Sequence, residues 1–140
     1  MKKFKEEMFL EVYNRPIKYR KLSNKEFSLF KDYVNMLFKE KIENDVFFKS
    51  LIDGLKNIKS FDLIENSIQF SEVLREINIV GENEVYLIWD YPTDIDRVLL
   101  KYLIKYWEDI WFSPSDEVVG LFFPKSKKVV LITHYNTVYF

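Results

Sequence analysis

The groups in this chain that could do chemistry are carboxylates, and they come in pairs. Glu108-Asp109 and Asp116-Glu117 bracket Trp111 and Phe112, while Asp90, Asp94 and Asp96 crowd a third short stretch. Two carboxyls facing each other across a pocket could run glycosidase-type acid–base hydrolysis or hold Mg²⁺. His134, the single imidazole, stands between Thr133 and Tyr135 and could act as a general base beside a hydroxyl. Other machinery is missing. Without cysteine there is no thiolate metal site, disulfide or cysteine nucleophile, and one histidine cannot form a His-pair site. Gly54, Gly81 and Gly120 lie too far apart for a phosphate-cradling loop or a dinucleotide fingerprint. The simpler reading puts Asp94 and Asp96 in the first turn of a helix, the remaining acids beside turns, and His134 in a β-turn bonded to backbone. No catalytic residue, cofactor or metal is expected on this reading. A small hydrolase using carboxylates near Asp116, with His134 beside them, is the enzymatic alternative.

The second chemical signal is basic. Arg15, Lys18, Arg20, Lys21 and Lys25, interleaved with Tyr19, resemble a modest nucleic-acid footprint. Against that, the net charge is only -1, and the stretch leads straight into a helix start, where a solvated approach explains it as well. The charge is uneven, near +5 over residues 1–60 and -6 over residues 61–140. An acidic second half can steer a basic partner.

These side chains must be positioned by one core. The 140 residues are 48% hydrophobic, with 25 aromatics among them, which suits a single globular domain over 1–140 and excludes disorder. Ser23-Asn24-Lys25-Glu26 fits a capping box ahead of Phe27, Phe30, Val34, Leu37 and Phe38, predicting a helix over 24–41. Asn44 or Asp45 can cap a second over 45–58, with Gly54 as an internal weakness. Phe70–Ile77 keeps a shorter helical spacing. Thr93 reads as the cap of a third long helix over 93–109, with a stripe of Ile95, Val98, Leu99, Tyr102, Leu103, Tyr106 and Trp107. Runs at 84–90, 117–123 and 128–133 are β-branched and aromatic between turn formers, and 137–140 adds a short return strand. Helices followed by strands predict an α+β fold, with N-terminal helices packed on a C-terminal antiparallel sheet. The expected core includes Phe30, Leu37, Leu51, Leu99, Leu103, Leu121 and Leu131. The opening MKKFKEEMFLEVYN is interrupted by Glu6, Glu7 and Glu11, and no run approaches the ~18 apolar residues of a membrane span. A cytoplasmic protein that does not engage a membrane is expected.

Residues Ile110-Trp111-Phe112-Ser113-Pro114-Ser115-Asp116-Glu117, the two apolar strands around Pro124, and the ending Thr133-His134-Tyr135-Asn136-Thr137-Val138-Tyr139-Phe140 form one block. This block resembles the ending of small bacterial immunity proteins, encoded beside polymorphic or contact-dependent growth-inhibition toxins. The resemblance covers about residues 85–140 and rests on an Asp-Ile-Trp-aromatic pattern rather than a catalytic signature. It implies a non-enzymatic protein that binds and neutralises a cognate toxin domain. A carboxylate cluster would suit a basic toxin such as a nuclease, by imitating its phosphate substrate. The expected binding surface is Glu108, Asp109, Asp116 and Glu117, all solvated on one edge of the sheet, with Trp111 at their centre.

Overall fold

From Val85 to Ile88 every residue of the third strand is buried. A strand with no solvated side must lie in a sheet covered on both faces. In the computed structural model, which describes residues 1–39 and 46–140, helices do cover both. The described elements run α1 (Lys3–Tyr13), β1 (Arg20–Lys21), α2 (Asn24–Phe38), α3 (Phe47–Gly54), β2 (Ile58–Ser60), α4 (Ser67–Glu76), β3 (Glu84–Asp90) and β4 (Asp94–Leu99). They continue with α5 (Leu100–Lys105), α6 (Trp107–Ile110), β5 (Val118–Phe123), β6 (Lys128–Thr133) and β7 (Thr137–Tyr139). The strands form one antiparallel sheet in the order β1-β4-β3-β5-β6-β7-β2. The fold is α+β, with helices gathered toward the N-terminus and most strands in the C-terminal half.

Because side chains alternate along a strand, each strand feeds two cores. Val85, Leu87, Val119, Leu121 and Val130 point to the layer of α1, α4, α5 and α6. Tyr86, Ile88, Phe122, Val129 and Leu131 point to α2 and α3, whose Phe30, Val34, Phe47 and Leu51 complete the second core. Gly120 sits opposite Ile88 across the β3–β5 ladder. A Cβ at Gly120 would stand 3.1 Å from the Ile88 Cβ, so the two strands fit closely there and a side chain would require Ile88 to give way by a few tenths of an ångström.

Ser23 caps α2 as its sequence predicts: its Oγ accepts from the Glu26 amide at 3.1 Å, and Glu26 Oε1 accepts from the Ser23 amide at 2.8 Å. The helix ends at Phe38, with Lys39 in the left-handed region at φ 56°. The expected cap at Asn44 or Asp45, and the ends of the 24–41 and 45–58 spans nearest to it, fall outside the described residues. Gly54 is the last residue of α3 rather than an internal position, and a Cβ there would run into the Phe38 ring. Residue 58 already belongs to β2. Asn66 and Gln69 form a second capping box and start α4 at Ser67, ahead of the expected Phe70.

The helix expected over 93–109 is the main correction. Its first third is strand β4, joined to β3 in a hairpin where Thr93 Oγ1 donates to Asp90 Oδ2 at 2.6 Å instead of capping a helix. Ile95 and Val98 are three residues apart, which suggests one face of a helix. In a strand the same separation sends them to opposite faces, and here both faces are dry: Ile95 lies in the α2–α3 core and Val98 in the other. Leu99, the last residue of β4, is 55% exposed rather than buried, and Leu37, on the outer side of α2, is 41% exposed. The other five expected core residues are buried. Helix α1 had no counterpart in the sequence reading. Among the described residues, no helix is long and apolar enough to cross a membrane.

Candidate functional site

Helix α1 buries little of its own apolar content. Its inner side is Lys5, 2% exposed, and Phe9, 1% exposed, whereas Phe4, Met8 and Val12 follow one another at four-residue spacing on the outer side and are 36%, 50% and 68% exposed. Two sets of contacts hold it in this orientation. Phe9 packs edge-on to Tyr106 with ring centres 5.1 Å apart, and the Tyr13 hydroxyl donates to Asp109 Oδ2 at 2.7 Å. That bond pushes the Tyr13 hydroxyl up to about 12, because ionising it would set a second negative charge against Asp109.

Lys5 supplies the second set. Its ammonium donates to the Ile110 carbonyl at 2.6 Å, pairs with Asp116 Oδ2, and lies 4.8 Å from the centre of the Trp89 ring. Asp116 also accepts from the Phe112 amide at 2.8 Å and faces Lys2 at 3.4 Å. Burial pushes the Lys5 ammonium below its ordinary value, with the hydrogen bond and charge of Asp116 opposing the shift. The pair is thus a buried fastener between α1 and the turn after α6, with its lone pairs and protons matched.

This overturns part of the expected surface. Asp116 is 2% exposed and Trp111 is 3% exposed. Trp111 stacks on Trp107 at 5.9 Å, so it is core and cannot be the centre of a solvated acid cluster. The turn does not keep Asp116 in water because Lys5 draws its carboxylate inward. Glu108 and Glu117 are exposed and Asp109 is half-buried. Glu117 stands at the foot of β5, where its carbonyl accepts from the His134 amide at 2.9 Å.

What the fold does assemble is an apolar ridge edged by acids. Phe4, Met8 and Val12 of α1 and Phe112, 43% exposed, enclose a hollow of about 90 Å³ with Glu108 and Asp109 on its border. A second hollow of about 290 Å³ on the other side of Phe112 is lined by Glu65, Glu108 and Trp111. Glu108 and Phe112 belong to both hollows, while Glu117 belongs to neither. The acid-plus-aromatic association is therefore present, with Phe112 in the place expected of Trp111. The residues the sequence reading missed are Phe4, Met8 and Val12, whose four-residue spacing was the available signal.

The other candidates are occupied. Arg20 makes a two-pronged contact with Glu26 at 2.6 and 2.9 Å, Lys21 reaches Asp94 at 2.6 Å and Asp96 at 2.7 Å, and Arg15 bonds the Tyr106 hydroxyl. Three of the five cations of the 15–25 stretch are thereby committed within the fold, leaving Lys18 and Lys25 as exposed ammoniums. Asp94 and Asp96 also receive the Met1 amine, at 2.7 Å for Asp96, so they are strand residues neutralised by cations rather than first-turn acids of a helix. Among the described residues no group of three His, Asp or Glu side chains is placed to hold a metal ion. His134 Nδ1 lies 3.0 Å from the Glu117 carbonyl oxygen. Asp116, among the carboxylates of the hydrolase alternative, is paired with Lys5. Compared with protein-family models, curated proteins and solved structures, the chain matches none of them.

Proposed function

We propose that this chain is a non-enzymatic binding protein that neutralises a toxin domain, taking its partner on the α1–α6 ridge. The observation that carries this reading is the outward stripe of Phe4, Met8 and Val12 next to Phe112, bordered by Glu108 and Asp109. A helix that turns more apolar surface to water than to its own core gains by being covered. The acidic border selects a basic surface as the cover, by steering its approach and by pairing with Lys or Arg at the rim. The resemblance of residues 85–140 to immunity proteins supplies the biological class. It agrees with a site that offers complementarity and no reacting group.

Co-expression with the product of the adjacent upstream gene tests the reading. The expected result is a stable complex and protection of growth, both lost in Met8→Lys, which places a like charge before a basic partner at a side chain that is already half exposed. A still-folded wild-type protein that neither binds nor protects overturns the proposal. Unchanged binding by folded Met8→Lys and Phe112→Ser variants moves the interface off this ridge.

A further inference from the structure

One margin of the sheet ends in β2, a strand whose outer side is unpaired among the described residues. Asn57 and Phe140 exchange both of their backbone bonds, at 2.9 and 3.0 Å, and the Phe61 amide donates to the Asn136 carbonyl at 2.9 Å. Bonding positions alternate along an antiparallel ladder, so Asn57, Lys59 and Phe61 serve β7 while Ile58 and Ser60 turn their N–H and C=O groups outward. No described residue bonds those four groups, and Ile58, Lys59 and Ser60 are all exposed. The opposite margin differs: β1 has two residues, and the Arg20 guanidinium already donates to the Lys21 carbonyl at 3.1 Å.

Exposed edges are ordinarily guarded by charge. The one charged side chain of β2, Lys59, is instead drawn over the sheet face to Glu76 of α4. On that face a groove of about 430 Å³ runs beside the edge, lined by Phe61 and Leu63 and by three acids, Asp62, Glu72 and Glu76, against the single Lys59. The other face of β2 carries Ile58, 64% exposed and opposite Tyr139 of the α2–α3 core. A chain laid along this edge therefore meets acids on one face and an uncovered isoleucine on the other.

We propose that β2 accepts an eighth strand, an extended segment of a partner protein running antiparallel to it, in which basic and apolar residues alternate. The outward N–H and C=O groups of Ile58 and Ser60 supply the pairing. Residues directly opposite in such a ladder share a face, so those facing Ile58 and Ser60 are apolar. The basic residues between them lay their stems on Phe61 and Leu63 and set their charges at Asp62 and Glu72. A second copy of the chain is a poor occupant, because it would bring one acidic groove beside another. This edge is independent of the α1–α6 ridge.

Backbone amide shifts of the full chain, titrated with the capped peptide acetyl-Lys-Val-Lys-Val-Lys-Val-amide, test it. Saturable shifts are expected in β2, β7 and α4, with binding that weakens as salt rises. N-methylation separates pairing from charge attraction. In the proposed register the valine N–H groups point at β2 and the lysine N–H groups point away. Methylating the valine nitrogens should therefore weaken binding by more than about tenfold, and methylating the lysine nitrogens by less than about twofold. The peptide with glutamate in place of lysine should not bind. Ile58→Pro removes an outward N–H that the β2–β7 ladder does not use and should abolish binding. Asp62→Lys, at an exposed side chain, should weaken it by about fivefold or more. Absence of saturable shifts up to millimolar peptide overturns the site. Equal binding of the valine-methylated peptide, or undiminished binding to folded Ile58→Pro, overturns strand addition. Equal binding of the glutamate peptide overturns the basic partner. Shifts in β2 that grow with protein concentration alone, with a dimer in sedimentation, give the edge to a second copy and overturn the proposal.

Discussion

Asp116, expected in water, and Lys5 are two of the three charged side chains buried among the described residues, each 2% exposed. Removing one partner strands the other. Asp116→Ala is expected to cost about 3–5 kcal/mol in denaturant unfolding, since the Lys5 ammonium would keep the Ile110 carbonyl and the Trp89 ring but no counter-charge. Glu117→Ala, next in sequence but solvated, should stay within about 0.5 kcal/mol. A similar loss for both would show that the pair does not fasten α1. Glu26 gives the pH test. Its hydrogen bond with Arg20 holds the carboxyl at about 2 instead of its ordinary 4.5. A carboxyl whose value is depressed on folding adds stability that is present above the ordinary value and lost as the pH falls through 4.5 toward 2. Glu26→Gln keeps an acceptor for the cap, so the wild-type advantage in denaturant midpoint should be full near pH 7, shrink as the pH falls below 4.5 and vanish only below about 2. An advantage constant across that range would count against the ionic contribution. None of these pairings could be read from sequence. Spacing locates acids and bases, but which of them meet depends on contacts between residues 5 and 116, or 21 and 96, that only the folded chain supplies.

At the level of elements, local signals with a specific mechanism were legible and periodicity alone was not. Ser23 and Glu26 state a helix start outright, and Pro124 with its flanking lysines states a hairpin. The stretch 94–99 was misread because a sheet buried on both faces removes the polar alternation that marks a strand, leaving Ile95, Val98 and Leu99 at spacings a helix would also show. Two substitutions separate the assignments. Leu103, 0% exposed on α5, should cost about 2–5 kcal/mol as Leu103→Ala. Leu99→Ala should cost no more than about 0.5 kcal/mol, because the side chain at the end of β4 stands mostly in water. Comparable large losses at both positions would restore the continuous helical stripe. Helix α1 went unread for the opposite reason. Its buried side is a lysine and a phenylalanine, while its best apolar periodicity, Phe4, Met8 and Val12, faces outward.

For the molecule as a whole, the α+β class followed from the order of apolar runs, but the two-sided covering of the sheet did not, since it depends on α2 and α3 crossing to the face opposite α1, α4, α5 and α6. The candidate binding face was half legible: Glu108 and Asp109, expected to be solvated on an edge of the sheet, lie instead on α6 in the helical layer with Asp109 half-buried, and the apolar surface beside them comes from the far end of the chain. The strand order carries one more consequence. Three of the four inner ladders, β3–β4, β5–β6 and β6–β7, join neighbours in sequence, with β3–β5 the exception, but both outer strands are short segments recruited from afar, Arg20–Lys21 against Asp96–Arg97 and Ile58–Ser60 against Thr137–Tyr139. Long loops must close before those pairings gain anything, so the C-terminal hairpins should assemble first and the margins dock last. Native-state hydrogen exchange should then divide the sheet. Amides of β3, β5 and β6 are expected to exchange only through global unfolding, while those of β1 and β2 should escape through local openings that denaturant hardly accelerates. Equal protection from margin to centre would mean that the seven strands open as one cooperative unit.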